Sequence, residues 1–252
     1  MLRDAASSSS PGGAVRRILG DDVDLAGRVQ RLNNDLSVAA GRCVSGRKIG
    51  LTSAAIQQFF GVSAPTSGVL FTDMRVADGG DIEADRLMQP RAEGEVALVL
   101  AHDLAGVDST VTDIAEATAH ASPAIEIVDS RIAAWDLTIV DMVADNAGSG
   151  LYVVGDTQVP LASIDLAMVP MSLSVDGIEQ SSGSGASCLG NPLHALTWLA
   201  NEMSAGGTPL RAGDCIMTGA LGPMVAMEPG AGLRADFGAL GSVSARWLAA
   251  AR

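Results

Sequence analysis

The sequence predicts an α+β fold in which strands outnumber helices and do not alternate with them regularly. Two observations carry this prediction. Short apolar runs bounded by Gly, Pro or Asp recur from about residue 68 onward, as strands do. Only a few segments show the three- and four-residue apolar spacing of a helix. The chain contains no internal repeat and no convincing linker after residue 13.

Four segments have helical patterns. From Asp21 to about Ala40, apolar residues recur at three- and four-residue steps, and Gly41 is expected to end this helix. A helix at 192–204 is predicted to begin with Asn191 as N-cap and Pro192 at the first helical position. Shorter helices are predicted at about 53–60 and 111–120.

The predicted strands are apolar segments separated by turn residues. They are 68–76, 94–100, 123–129, 150–155, 169–177, 214–219, 222–228, 232–237 and 241–247. The Ser- and Gly-rich segment 181–190 (SSGSGASCLG) lacks the strand and helix that flank a phosphate-binding loop. We therefore interpret it as a turn-rich connection.

The chain divides into a short tail and one large domain. Residues 1–13 are small and polar, with SSSS followed by PGG, and are predicted to be a disordered tail. Residues 14–252 are predicted to form a single catalytic domain. Hydrophobic residues make up 48% of the sequence and aromatic residues only 3%, so aliphatic side chains must fill its core.

Composition excludes several classes of partner and compartment. A net charge of −13 argues against nucleic acid and against anionic membrane surfaces, and an anionic substrate would need a local positive centre. The cysteines Cys43, Cys188 and Cys215 are odd in number and widely spaced, which indicates a reducing compartment. No apolar run approaches 18 residues and no apolar signal core begins the chain, so the protein is expected to be cytoplasmic.

Three glutamates stand in apolar surroundings. Glu93 and Glu95 lie two residues apart in RAEGEVALVL, so that in a strand both point to the same face. Glu126 lies between Ile125 and Ile127 in another predicted strand. Carboxylates held in such places must protonate, pair with cations or bind a metal, and three of them suit Mg²⁺ or Mn²⁺.

Plainer interpretations remain open from the residues alone. An E-x-E pair on an edge strand is usually solvated, and Glu126 could instead pair with Arg131 or Arg91. Lys48 is the only lysine among 16 basic residues, which an Arg-preferring composition would also explain. Cys188 lies beside a Gly-rich segment but has no base nearby in sequence, so it is interpreted as a packed thiol.

Taken in order, several blocks of the sequence resemble the 2-hydroxypenta-2,4-dienoate (2-oxopent-4-enoate) hydratases and 4-oxalocrotonate decarboxylases of the fumarylacetoacetate hydrolase superfamily. The resemblance covers about residues 14–249, and the last block leans toward the hydratases. The blocks are GRKIGLTS (46–53), QPRAEGEVALVL (89–100), AIEIVDSRIAAW (124–135), VADNAGSG (143–150), LGNPLHALTWLAN (189–201) and TGALGPMV (218–225).

The resemblance implies a mixed β-roll or sandwich with a smaller N-terminal α/β part. It implies Mg²⁺ or Mn²⁺ held by Glu93, Glu95 and Glu126, with Lys48 in the active site, where a compact ammonium serves better than an Arg fork. The reaction it implies is addition of water to a short dienol acid, giving a 4-hydroxy-2-oxo acid, in the catabolism of aromatic meta-cleavage products. Further substrate contacts are expected from Leu51, Gln89, Asp145, Thr218 and Gly219.

Two positions depart from the pattern of the family. Thr66 in APTSG stands where hydratases commonly carry an acid/base Asp, and Gly148 stands where a Ser is common. Thr66 and Ser149 are therefore the catalytic candidates beside Lys48, with Asp73 or Asp145 as alternative bases.

The resemblance leaves other outcomes open. One is decarboxylation of a 4-oxalocrotonate-like 2-oxo-enedioate, for which Arg47, Arg91 or Arg131 would supply an extra cationic contact. Another is a non-catalytic scaffold role that follows from the two replacements. A homo-oligomer is expected, and a complex with a related decarboxylase is possible.

Overall fold

The computed structural model describes residues 1–249. Its helices are α1 (Leu2–Ser8), α2 (Arg16–Leu19), α3 (Val23–Ala39), α4 (Ala54–Phe60), α5 (Val111–Ala117), α6 (Ile139–Ala144) and α7 (Pro192–Ala205). Its strands are β1 (Val44–Gly50), β2 (Thr66–Phe71), β3 (Arg75–Val76), β4 (Gly80–Ile82), β5 (Arg91–Leu100), β6 (Thr118–Val128), β7 (Ser149–Val154), β8 (Pro170–Val175), β9 (Ile178–Ser184), β10 (Cys215–Ala220), β11 (Val225–Ala226), β12 (Gly232–Asp236) and β13 (Ser242–Trp247).

The strands form two mixed sheets. The larger has the order β2-β1-β10-β5-β6-β7-β3, with β11 paired to β5, and its β1–β10 and β3–β7 pairs are parallel. The smaller has the order β4-β13-β12-β8-β9. Helices flank the sheets without alternating regularly with the strands, so the predicted α+β class is confirmed.

The two faces of β5 have different roles. On one face, Val96 and Leu98 are fully buried, and Gly94 lets the smaller sheet approach closely. A Cβ on Gly94 would lie 2.7 Å from Sδ of Met171 in β8, so a larger residue would force the Met171 side chain to shift. Because strand side chains alternate, Glu93 and Glu95 project from the opposite face of β5.

The longer helices begin and end as their sequences predict. The Asn191 side chain caps α7 by accepting a hydrogen bond from the Leu193 N–H (2.9 Å), and Pro192 occupies its first turn. The Asp22 side chain caps α3 in the same way through the Leu25 N–H.

No helix within residues 1–249 is long and apolar enough to cross a membrane.

Residues 1–13, predicted to be a disordered tail, include a helix in the structure. Residues 2–8 form α1, in which Ala5 is buried, and the Gly12 N–H donates to the Arg131 carbonyl at 2.8 Å.

Three other local predictions differ from the structure. The helix predicted at 111–120 stops at Ala117, because β6 begins at Thr118 and pairs with β5. Part of the predicted connection 181–190 belongs to β9, an edge strand whose polar, exposed residues gave no apolar signal. The strand predicted at 222–228 shrinks to the two residues of β11.

Candidate active site

Three glutamates meet on the larger sheet. In the antiparallel pair β5–β6, Glu93 lies directly opposite Glu126, and Glu95 follows on the same face of β5. One carboxylate oxygen from each lies within 4.8 Å of one from each of the others. The three glutamates singled out in the sequence therefore lie together in one cluster.

The cluster has the donor set of a divalent metal site. Glu95 and Glu126 are buried, and Oε1 of Glu95 and both carboxylate oxygens of Glu126 accept no hydrogen bond from residues 1–249. Buried oxygens without partners are rare in folded proteins unless a ligand satisfies them. Hard divalent cations take carboxylate oxygens, so the residues present fit such an ion.

Burial and crowding alter the acidity of these groups. Burial raises the pKa of Glu93 to about 7, helped by the charge of Glu126 and opposed by Lys48 and Arg91. Burial and the charges of its two neighbours also raise the pKa of Glu95 well above its usual range. The charged cluster thus needs positive charge to be stable.

Lys48 supplies one of these charges. Its Nζ lies 3.0 Å from Oε1 of Glu126, although the contact lacks the alignment of a good hydrogen bond. Burial acts to lower the pKa of Lys48, but the charges of Glu126, Glu93 and Glu95 outweigh burial and raise it. Lys48 is therefore a buried ammonium at neutral pH.

Glycines make room around this ammonium. Gly50 is the last residue of β1 and lies on the Lys48 face of the strand. A Cβ there would lie 3.7 Å from Lys48 Nζ and 3.4 Å from Cγ2 of Thr66. Thr66, opposite Gly50 in β2, is thus beside the lysine. The position where the family commonly carries an Asp therefore borders the glutamate–lysine cluster.

Ser149 reaches the same face of the sheet at Gly68, which lies opposite Lys48. A Cβ on Gly68 would lie 2.5 Å from Ser149 Oγ. The Ser149 hydroxyl donates to the Asn146 carbonyl at 2.7 Å, and Gly148 adopts a positive φ of 71° in the turn between them. In this arrangement the Ser149 hydroxyl stabilises the turn at residues 146–149.

Of the predicted substrate contacts Thr218, Gly219 and Leu51, Gly219 touches the glutamate cluster directly. The Gly219 N–H donates to Oε2 of Glu95 at 2.8 Å and so orients that carboxylate. The Thr218 hydroxyl donates to the Val96 carbonyl and is buried. Leu51 is buried with a positive φ of 60°, a strained conformation directly after β1.

Gln89 and Asp145 are committed to structural hydrogen bonds. The Gln89 amide donates to two backbone carbonyls and accepts from the Ala134 N–H. Asp145 accepts from Nε (2.5 Å) and the backbone N–H (2.9 Å) of Arg131 and from the Ser130 hydroxyl. Direct substrate contact by these two residues stays a prediction, and the partners observed for them favour a supporting role.

Sequence reasoning passed over two residues at the site. Thr52 is buried, and its Oγ1 would lie 2.4 Å from a Cβ on Gly219. Its position in the GRKIGLTS block is the sequence feature that could have identified it as a site residue. Trp135 packs against the guanidinium of Arg91 at 4.4 Å. Arg91 lies two residues before Glu93 and so shares its face of β5.

The Cys188 thiol is packed, as predicted. Cys188 is fully buried, and its Sγ donates to the Thr218 carbonyl at 3.0 Å. Burial and the charge of Glu95 raise the pKa of the thiol to about 12. A group held in the protonated form is a poor nucleophile.

A cluster of three glutamates, two of them buried, lies beside a lysine on a curled sheet that packs against a second sheet, and this arrangement defines a candidate divalent-metal site. The family model described as fumarylacetoacetate (FAA) hydrolase C-terminal matches residues 47–247. The chain belongs to the fumarylacetoacetate hydrolase family, which confirms the family predicted from the sequence.

Individual relatives cover nearly the whole chain. A 2-keto-4-pentenoate hydratase of Burkholderia vietnamiensis is 49% identical over 97% of this chain and 94% of its own. The TodF product hydratase of Pseudomonas putida is 45% identical over 99% of this chain and 94% of its own. Among solved structures, the 4-oxalocrotonate decarboxylase of Pseudomonas putida G7, complexed with magnesium and adipate, is similar with a TM-score of 0.94 and 31% identity, covering 98% of this chain and 94% of that one.

Proposed function

We propose that this protein is a metal-dependent hydratase that adds water to 2-hydroxypenta-2,4-dienoate or a related short dienol acid, giving a 4-hydroxy-2-oxo acid. The observation that carries the proposal is the glutamate cluster, with its unpartnered buried oxygens, beside the ammonium of Lys48. The hydratase names of relatives at 45% to 49% identity over nearly the full chain support the same reaction.

Glu93, Glu95 and Glu126 would hold the ion, which we propose to be Mg²⁺ or Mn²⁺, because both prefer carboxylate oxygens. The bound ion would act as a Lewis acid that stabilises negative charge on the oxygen at C2 of the substrate. The Gly219 N–H keeps Glu95 in position by its hydrogen bond to Oε2. The acidic chain thereby gains a positive centre for an acidic substrate.

Lys48 is proposed to provide the second positive charge. Because its neighbours hold it as an ammonium, it is suited to donate a proton or a hydrogen bond and unsuited to accept a proton first. Placed 3.0 Å from Glu126, its Nζ would stabilise the substrate enolate or carboxylate next to the glutamates.

Thr66 is proposed to position the attacking water. Its side chain lies beside Lys48, and its hydroxyl makes no hydrogen bond within the described part of the chain. The two carboxylates considered as alternative bases are paired with arginines: Asp73 with Arg42 at 2.8 Å, and Asp145 with Arg131. A hydroxyl in place of a carboxylate orients water but carries protons poorly, so we expect slow turnover.

A second candidate is decarboxylation of a 4-oxalocrotonate-like 2-oxo-enedioate. The similarity to the 4-oxalocrotonate decarboxylase favours it, since the TM-score is 0.94 over 98% of this chain. The same glutamates and lysine would stabilise the enolate formed by loss of CO₂, with no need for a water-activating residue at Thr66. A non-catalytic scaffold role is the remaining alternative.

One assay separates these functions. Purified protein, stripped of metal and resupplied with Mg²⁺ or Mn²⁺, is mixed with freshly generated 2-hydroxypenta-2,4-dienoate, and the product is identified by mass. Metal-dependent formation of 4-hydroxy-2-oxopentanoate supports hydration. Turnover of 4-oxalocrotonate alone identifies a decarboxylase, and inactivity on both substrates supports the scaffold role.

We also propose that the protein is a cytoplasmic homo-oligomer that can associate with a related decarboxylase. Cys43, Cys188 and Cys215 are unpaired, which suits a reducing compartment. Leu32 and Leu36, one turn apart on α3, are 58% and 38% exposed, which suits coverage by another subunit. Light scattering during size-exclusion chromatography, with and without the decarboxylase, tests both associations.

A further inference from the structure

The peptide group between Thr218 and Gly219 is hydrogen-bonded on both sides. Its N–H, which belongs to Gly219, donates to Oε2 of Glu95 at 2.8 Å. Its C=O, which belongs to Thr218, accepts from the Cys188 thiol at 3.0 Å. The C=O and N–H of a trans peptide are fixed in one plane and point in opposite directions. One rigid unit therefore connects the thiol to the carboxylate.

This peptide lies where the ladder of the larger sheet is interrupted. The pairing of β10 with β5 changes register between Met217 and Ala220, so the two residues between them form a bulge. Gly219 has a φ of 115°, in a region that glycine adopts far more readily than other residues. Because glycine gives the backbone this freedom, a further contact is needed to fix the direction of the Gly219 N–H.

Cys188 is held in a position to provide that contact. It is fully buried, and its backbone N–H donates to the Gly185 carbonyl at 3.1 Å. The next residue, Leu189, donates its N–H to the Thr52 carbonyl at 2.9 Å. Burial and the charge of Glu95 keep the thiol protonated at neutral pH, so its S–H is available as a donor.

The two carboxylate oxygens of Glu95 differ in their contacts. Oε2 accepts the hydrogen bond from Gly219, whereas Oε1 is buried and has no partner in the described part of the chain. A carboxylate is planar, so holding Oε2 also fixes the position of Oε1. Rotation of the Thr218–Gly219 peptide would release Oε2 and let the whole carboxylate turn.

We propose that Cys188 is a positioning residue of the metal site: its thiol fixes the Thr218–Gly219 peptide, and that peptide fixes Glu95 in the orientation that binds a divalent ion. This inference rests on the proposed function. A donor on the C=O also polarises the peptide and strengthens the hydrogen bond that the N–H donates to the carboxylate. Groups that orient a metal ligand in this way typically contribute about 10- to 100-fold to metal affinity.

The test measures metal binding, so that it does not depend on turnover. Titration calorimetry with Mn²⁺ on metal-stripped protein compares wild type with Cys188→Ser, Cys188→Ala and Cys188→Val. Serine is close to alanine in size but keeps a donor, so this pair separates the hydrogen bond from packing. Valine removes the donor and fills the space, so it serves as the second variant without a donor if the alanine variant does not fold. Cys215→Ala, at the start of β10, is the control for loss of a thiol elsewhere in the sheet.

We expect the Kd for Mn²⁺ to rise about tenfold or more in Cys188→Ala and Cys188→Val, because Glu95 loses its fixed orientation. The Kd should stay within about threefold of wild type in Cys188→Ser and in the control. Equal affinity in wild type and Cys188→Ala would overturn the proposal. An equal loss in Cys188→Ala and Cys188→Ser would also overturn it, since packing would then account for the effect.

Infrared spectroscopy of the S–H stretch follows the connection itself. The Cys188 band is identified by its absence in Cys188→Ala. It should move when Mn²⁺ is added to wild type, because an ion on Glu95 weakens the carboxylate as an acceptor for the Gly219 N–H, and the same peptide carries that change to the thiol. A Cys188 band that Mn²⁺ leaves unchanged would contradict the proposal.

The outcome is separable from hydration. A wild-type protein that binds Mn²⁺ more tightly than Cys188→Ala but produces no 4-hydroxy-2-oxopentanoate removes the proposed reaction and keeps the role of Cys188. Hydration that depends on Mn²⁺, with the same Mn²⁺ affinity in wild type and Cys188→Ala, keeps the reaction and removes that role. Absence of Mn²⁺ binding to wild type removes both.

Discussion

The Nζ of Lys48 lies 3.0 Å from Oε1 of Glu126, and both side chains are buried. Lys48 belongs to β1 and Glu126 to β6, and β10 and β5 lie between these strands in the sheet. In a flat sheet the two strands would be about 14 Å apart, so the ion pair requires the sheet to curl around the site. The same curvature brings the unpartnered glutamate oxygens next to the lysine.

Replacing Lys48 by Met should abolish most turnover while the fold is kept. The variant loses the only ammonium beside the glutamates, and loss of one preorganised charge or donor typically lowers kcat about 100- to 1,000-fold. Lys48→Arg should rescue little, because its planar fork needs more room than Gly50 and Gly68 leave. Kinetics and circular dichroism, each with saturating Mn²⁺, provide the measurement. Activity above a tenth of wild type in Lys48→Met would exclude a catalytic role.

Replacing Glu95 by Gln should remove metal-induced stabilisation. Wild type is expected to melt at a higher temperature when Mg²⁺ or Mn²⁺ is added, because the ion binds the folded state only. Without metal, Glu95→Gln should melt at or above the wild-type temperature, since it removes a buried carboxyl that repels Glu93 and Glu126. Differential scanning calorimetry with and without metal tests both parts. Glu179→Gln, on the exposed strand β9, is the control and should keep the full metal response.

Replacing Thr66 by Asp should speed hydration. The new carboxyl would lie beside Lys48 and carry protons, and a general acid or base contributes about 100- to 10,000-fold. A rise in kcat of at least about tenfold is therefore expected, allowing for imperfect placement. Ser67→Asp is the matched control, because it adds the same group on the opposite face of β2. Equal or lower kcat in Thr66→Asp would show that the hydroxyl at this position is sufficient.

The two strands that carry the glutamate cluster could be predicted from the sequence because their signals are local. Val96 to Leu100 are apolar on both faces of β5, and Glu126 stands between two isoleucines in β6, so the acids were conspicuous. The register that sets Glu93 opposite Glu126 depends on the pairing of distant segments, which local patterns do not encode.

Other features depend on tertiary contacts and were missed for that reason. The β1 segment VSGRKIG has no apolar run, and it becomes a strand because β2 and β10 pair with it on either side. The position of Asp145 in a motif predicted a substrate contact, and the motif did not show that Arg131 and Ser130 bind its carboxylate in the fold. A motif can show that a residue lies near the site. It does not show whether that residue contacts the substrate or only stabilises the residues that do.

Asp141 should make the stability of the protein depend on pH in the acid range. It is buried at the start of α6, where it accepts hydrogen bonds from the Thr138 N–H (2.9 Å) and hydroxyl and forms an ion pair with Arg16 at 2.5 Å. Burial acts to raise the pKa of Asp141, but the hydrogen bonds from Thr138 and Arg16 outweigh it and lower the pKa below its ordinary value of 3.8. The ionised form therefore stabilises the folded state.

This stabilisation is present in full above the unfolded pKa, near 3.8, and is lost as the pH falls through the lower pKa of the folded state. Asp141→Asn should reduce the free energy of unfolding by about 2 kcal/mol at pH 7, since charged hydrogen bonds are lost from a buried position. The gap between variant and wild type should stay constant from pH 8 to pH 5 and shrink below about pH 4. Urea denaturation at each pH measures it. Asp136→Asn, the exposed partner of the same Arg16, should cost less than about 0.5 kcal/mol. A gap for Asp141→Asn that does not change with pH would mean that packing at α6, and not the charge, is what stabilises the fold there.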